Sequence, residues 1–214
     1  MTDARPQPYH HGDLRAALVR AGYELALEQG PDAVTLRAVT RLAGVSPTAA
    51  YRHFGSLDDL RAAVGLRALR ALAAVIEQHQ ASLSVDHPDR PRALLEAVGD
   101  GYLAFALDNP NGFRIGLFGL LGMRHAALPE GAGGSGRTPF QLLTDALAGL
   151  AAAGRLDPDG VQPAAIQCWS SVHGFASLAL LGPLSGEPRE VLDAMADRLV
   201  RDVVDGVLSS GGVV

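Results

Sequence analysis

The sequence predicts an all-α protein with a small three-helix head, a long fourth helix and a larger helical-bundle body, about nine helices in total. Three observations predict it. Apolar residues recur at three- and four-residue spacing over most of the chain, and no stretch alternates with the two-residue period of a strand. Segment starts carry Ser or Thr and segment ends carry Gly or Pro, which is how helices are punctuated. Finally, Thr35 to Leu60, TLRAVTRLAGVSPTAAYRHFGSLDDL, spells two short helices joined by a tight turn.

Residues 1–9, with two prolines and Arg5, read as a disordered arm. The first helix begins near Asp13, carries Leu14, Leu18, Ala21 and Leu25 on one face, and stops at Gly30-Pro31. Thr35 caps a second helix bearing Leu36, Val39 and Leu42. Gly44 follows where a turn needs positive φ, which glycine adopts without a steric penalty. Ser46 offers the next N-cap and Pro47 sits at the first helical position, where its missing N–H costs nothing. The third helix, Pro47 to about His53, is too short to stand alone in water, so neighbours must hold it. Ser56 and Asp59 make a capping-box-like start to a fourth helix, which runs through Leu60, Val64, Leu69, Leu72 and Ile76 to about Ser82.

SVDHPDRP (84–91) is a loop and a boundary, giving a head over 1–55, a connecting helix over 56–83 and a body over 84–214. Body helices are expected over 92–107, 112–121, 138–153, 163–181 and 188–208, with a flexible Gly-rich connector at 129–136. That connector, Gly131 to Thr138, imitates a phosphate-binding loop with Arg137 in place of lysine. Such a loop needs a buried strand before it, and none is legible, so nucleotide hydrolysis is rejected.

A short presented helix after a Gly turn is a helix-turn-helix, the arrangement that lays its second helix in the DNA major groove. Thr48 is the candidate for base contact, its methyl suited to a thymine methyl, and Pro47 adds apolar contact. Tyr51 and His53 suit phosphate, as do the Thr35 hydroxyl and the helix start it caps; Ser46 lies at the corresponding start of the third helix. Arg37, one turn in, reaches either the backbone or a guanine. Arg5 on the arm is read as solvated, with minor-groove insertion as the alternative.

The net charge of −5 looks wrong for such a role until it is divided. Residues 1–85 hold nine Arg against eight acids, a net +1, and residues 86–214 hold nine against fifteen, a net −6. The polarity is right but weak, so specificity leans on placed contacts. Every basic side chain is arginine. The single cysteine, Cys168, excludes an intramolecular disulfide, suits a reducing cytoplasm and reads as core packing. The longest apolar runs fall short of a membrane span. His10, His11 and Asp13 read as capping and solvated groups, not metal ligands, and no cofactor fingerprint or catalytic pair is visible, so an enzyme is not expected.

The segment AGVSPTAAYRHFGSLDDL, through Ala43, Gly44, Val45, Ser46, Tyr51, His53, Phe54 and Leu60, resembles the DNA-binding signature of TetR/AcrR-type transcriptional repressors. Tyr9 to Gly30 is similar to that family's first helix. Trp169, His173 and Gly174 resemble the Trp–His–Gly signature of one group of its C-terminal domains. Two positions depart from the pattern: Leu57 stands where a phosphate-reaching lysine is usual, and Thr48 where glycine is usual. The resemblance implies a homodimer, a pseudo-palindromic operator in double-stranded DNA, a small-molecule effector, and repression as the outcome.

It also implies a ligand cavity in the body without naming its walls. Candidates from the residues are Tyr102, Phe105, Phe113, Phe118, Met123, Trp169 and His173, an apolar set in which His173 and Tyr102 are the polar anchors. An ordinary core with a satisfied histidine is the competing reading. Small residues and Leu/Val stripes on the last two helices, Ala176, Leu180 and Leu184 with Val191, Met195, Leu199, Val203 and Leu208, suit a four-helix interface between two copies. A ligand-independent repressor or activator of the same fold stays open, as does a helical small-molecule-binding protein or enzyme without DNA binding.

Overall fold

The computed structural model describes residues 11–117 and 128–210, and every regular element among them is helical. We number the helices α1 (His11–Gln29), α2 (Leu36–Leu42), α3 (Pro47–Tyr51), α4 (Leu57–Ala81), α5 (Arg90–Asp108), α6 (Pro110–Leu117), α7 (Pro139–Ala152), α8 (Val161–Leu181) and α9 (Arg189–Ser210). The expected all-α architecture is the observed one. Ends differ by a few residues: α3 stops at Tyr51, two short of expectation, and α6 begins at Pro110, directly after the α5 cap Asn109.

Two apolar clusters organise the chain. The head cluster joins Leu18 and Leu25 of α1, Val39 of α2, Ala50 and Phe54 around α3, and Leu60 and Val64 of α4. The body cluster takes the second half of α4, from Leu66, with α5, α7, α8 and α9. The long α4 therefore belongs to both, which its apolar residues at helical spacing over 25 positions make possible. Gly101 lets α5 cross it closely, since a Cβ there would sit 2.8 Å from the Ile76 Cα.

Helix α6 is the second tie between the clusters. Its Phe113 is buried in the body cluster, while Ile115, two residues on, is buried in the head cluster. Asn111 donates its side-chain N–H to the Leu27 carbonyl of α1 at 3.0 Å. Gly116 lets α6 lie against α4, where a Cβ would come within 3.0 Å of the Ala68 Cβ.

The outer face of α8 is apolar and open. Ile166, Leu178 and Leu181 are 48%, 47% and 54% exposed, and Ser170 and Gly174 are exposed between them. Val191 and Met195 of α9 are exposed as well. This corrects the helical phase expected for α8: Ala176 is fully buried, and Leu180 packs against the body core. By length and composition alone, the segment Pro158–Leu181 is also long and apolar enough to cross a membrane.

Candidate nucleic-acid interface and ligand cavity

In the head, hydroxyl caps set both short helices. The Thr35 hydroxyl accepts from the Ala38 N–H and the Ser46 hydroxyl from the Ala49 N–H, each at 3.2 Å. A hydroxyl that accepts at a cap keeps its own proton to donate outward. Gly44 turns the chain between the helices at φ 69°. Inside, Val39 and Ala50 are fully buried, and the Arg15 guanidinium lies over the Phe54 ring at 5.2 Å, fixing α1 against the end of α3.

This packing leaves Thr35, Arg37, Ser46, Pro47 and Thr48 exposed, Tyr51 60% exposed and His53 half-buried. A tyrosine that exposed on a five-residue helix does no work in its own core. Arg41 and Arg52, not singled out from sequence, are exposed on the same two-helix unit. Leu57 packs against the head core, so the position where a lysine would reach a phosphate is occupied here by an apolar contact. Ser56 caps α4 through the Asp59 N–H at 3.1 Å.

The body holds a partly open apolar cavity of about 60 Å³ walled by α4, α5, α6, α7, α8 and α9. Tyr102 and Trp169 are on its wall, with Phe140 and Cys168 and a set of aliphatic residues that includes Leu72, Ile76, Leu143, Val172 and Val204. Phe105, Phe113 and His173 are not on that wall. Phe113 and His173 lie behind Tyr102, with the Tyr102 and Phe113 rings 5.6 Å apart edge to face and the Phe113 and His173 rings 5.8 Å apart. Phe105 is buried at the α5–α6 junction, beside Gly112. Phe118 and Met123 lie outside the described residues. The aliphatic walls went unsingled because nothing in the sequence separates a cavity leucine from a core leucine.

The polar edge of the cavity is internally paired. The Tyr102 hydroxyl and the His173 Nδ1 are 2.8 Å apart. Burial drives the Tyr102 phenol up and out of reach of ordinary pH, opposed by the Trp169 indole N–H bonded to its oxygen, and burial pushes the His173 imidazole below its usual value. Both groups are thus neutral at pH 7. Indole only donates, whereas the phenol can both donate and accept, so which of Tyr102 and His173 donates in their shared bond follows the imidazole tautomer. Burial pushes the Cys168 thiol up to about 11, which keeps it protonated and unreactive.

The Gly-rich connector is tied down. The N–H groups of Gly134 and Ser135 donate to the Glu77 carboxylate at 2.9 Å each, and the Ser135 hydroxyl donates to it at 2.6 Å. The loop does cradle an anion, but that anion is a side chain of α4. Burial raises the Glu77 carboxyl, and the three hydrogen bonds outweigh it, leaving the group below its usual value. Thr138 and Gln141 then form a full capping box that starts α7, placing Phe140 on the cavity wall.

Asp100 of α5 carries an opposite perturbation. Burial first, then the Asp197 carboxylate of α9 and Glu96, raise it from 3.8 to about 6, against the pull of His79 and Arg201. A carboxyl raised on folding penalises the folded state once it must ionise. The penalty grows as pH rises from about 4, and above about 6 it is complete. The shift corresponds to about 3 kcal/mol, which solvent screening of a partly exposed group cuts to roughly 1–2 kcal/mol. Asp100→Asn should therefore raise unfolding free energy by about that amount at pH 7.5 and by almost nothing near pH 4. Denaturant titrations at both pH values check it; an equal gain at both would place the effect elsewhere.

Against known proteins, residues 18–64 match the family model described as bacterial regulatory proteins, tetR family, and residues 95–203 match that of the tetracyclin repressor-like C-terminal domain. An HTH-type transcriptional repressor of Mycobacterium tuberculosis is 30% identical over 105 residues, 47% of this chain and 55% of that protein. The chain spans about half the length of the curated relatives it matches. A protein of unknown function from Rhodococcus sp. RHA1 superposes with a TM-score of 0.67 at 26% identity, covering 97% of this chain and all of the other. A TetR variant from Acinetobacter baumannii AYE, solved with minocycline, shares the fold with a TM-score of 0.64 at 18% identity, over 96% of this chain and all of its own. A capped helix-turn-helix under one model and a helical body under the other, together covering more than half of the sequence, leave one assignment: the chain belongs to the TetR family of bacterial transcriptional regulators.

Proposed function

We propose that the protein is a homodimeric repressor that binds a pseudo-palindromic operator and leaves it when a small, uncharged, largely apolar ligand enters the body. The exposed polar face of the two capped head helices carries this reading. Thr48 meets base edges with Pro47 beside it, while Tyr51, His53 and the hydroxyls of Thr35 and Ser46 hold phosphates. Arg37 adds a charged contact. Two copies joined through the open faces of α8 and α9 would set the heads in successive major grooves, with half-sites about one helical turn apart. A regulator of this kind works in the cytoplasm.

The cavity supports the ligand class. Its walls are almost entirely hydrocarbon and its polar atoms already bond to one another, so a charged group would enter without a partner. An apolar cavity of about 150 Å³ holds benzene, so one of about 60 Å³ must widen to take a ligand. That need to widen supplies the differential affinity by which a ligand shifts a conformational equilibrium. Tyr102 on the wall touches Phe113, and Phe113 sits on the helix bonded to α1, so widening is passed to the head through α6.

Selection of sites from a random DNA pool with purified protein, at two salt concentrations, tests the reading. A palindromic consensus is expected; salt-sensitive binding without sequence preference would overturn it. On the selected site, Tyr51→Phe should weaken binding to all sequences alike, by roughly 1 kcal/mol. Thr48→Ala should relax preference at one base position per half-site, by about 1–3 kcal/mol. Equal loss of specificity from both would refute the division of roles.

A further inference from the structure

We propose that the groove between α1 and α4 is a second ligand site, one that takes a small anionic amphiphile: a carboxylate or phosphate on a short apolar body. The groove encloses about 210 Å³ and shares no lining residue with the body cavity. Three arginines stand on it, Arg15 from α1 and Arg67 and Arg70 from α4, against one carboxylate, Glu130. In a chain of net charge −5 this is a local reversal of sign.

Each guanidinium is held in place without being neutralised. Arg15 lies over the Phe54 ring and Arg67 over the Tyr23 ring, both at 5.2 Å, and the Arg70 Nε–H donates to the Ala132 carbonyl at 3.1 Å. None of the three is in an ion pair among the described residues, although Arg92, Arg137, Arg155, Arg189 and Arg198 all are. A guanidinium held over a ring face by cation–π attraction keeps N–H groups for an anion. Three like charges gathered on one groove favour an anionic guest, and pre-positioned side chains lose little freedom on binding it.

The rest of the lining is hydrocarbon, from Ala16 and Val19 of α1 and Ala63 and Leu66 of α4. Phosphate or acetate alone would leave it uncovered, whereas an alkyl or aryl body would bury it. Operator phosphate is not the occupant in the reading above. Arg67 and Arg70 lie ten and thirteen residues beyond Leu57, so they stand about 15–20 Å along α4 from the end that faces DNA.

Isothermal titration of the purified protein with octanoate, octyl phosphate, octanol and inorganic phosphate tests the site. Octanoate or octyl phosphate should bind at least about tenfold more tightly than octanol or inorganic phosphate, and the preferred head group names the anion. Arg67→Gln and Arg70→Gln should each weaken the anion about tenfold while leaving octanol binding unchanged, and Arg67→Lys should fall between. Arg15→Gln, on an exposed side chain, repeats the test if an α4 variant melts early. Octanol binding as tightly as the anions, inorganic phosphate as tightly as octyl phosphate, or anion binding indifferent to all three glutamine variants would each overturn the proposal.

Discussion

If the proposed dimer forms through α8, Ile166→Asp combined with Leu178→Asp should convert it to a monomer and lower affinity for the proposed operator at least about 100-fold. The two residues share one stripe of α8 with Ser170 and Gly174, and all four are exposed in the protomer. Small residues at the middle of a stripe let a second helix approach closely, and among the described residues no other element lies within 4 Å of a Cβ placed on Gly174. In an isologous interface each side chain counts twice, so four large apolar groups leave the buried surface at roughly 1.5–3 kcal/mol each. The aspartates of the two copies would also be gathered in one interface, carboxylate near carboxylate, where water is excluded. Operator affinity follows because two linked heads bind far more tightly than either alone. The fold should survive, since the substituted positions are half-exposed before association. Sedimentation and circular dichroism check both halves of the expectation. A variant that stays dimeric would show that another surface joins the subunits.

What the sequence made legible was local. Thr35, Ser46 and Ser56 are caps because each hydroxyl accepts an N–H three residues away, and that spacing is written in the chain. Gly44 announced its turn for the same reason. The cavity wall was not legible in this way, because it is made by meetings such as Leu72 of α4 with Val204 of α9, more than a hundred residues apart. Reading aromatic residues as the wall placed Phe105 and Phe113 one layer too far in. The exposed face of α8 was misphased because a helix apolar on nearly every side shows its period but hides which side is the core. The Glu77 clamp on Ser135 joins residues 58 apart and had no sequence signal at all.

The α6 tie gives the other large expectation. Phe113→Ala should cost about 3–5 kcal/mol of stability, because a fully buried ring is removed where α5, α6 and α8 meet. Lost burial alone would weaken the body and leave the head untouched. The placement of α6 argues otherwise: Phe113 faces the body cluster, Ile115 the head cluster, and Asn111 bonds to the last turn of α1. Releasing the helix on one side should loosen its grip on the other. Hydrogen exchange should therefore speed up not only in α6 but also at Leu25–Gln29 of α1, with α9 amides changing by no more than the global loss requires. Phe113→Leu, which keeps most of the apolar volume, should cost roughly 1–2 kcal/mol and restore much of the α1 protection. Unchanged exchange in α1 when Phe113→Ala opens α6 would mean that the two clusters are not mechanically joined there. The proposed ligand, in widening the cavity, would then have to reach the head along α4, which among the described residues is the other helix that belongs to both clusters.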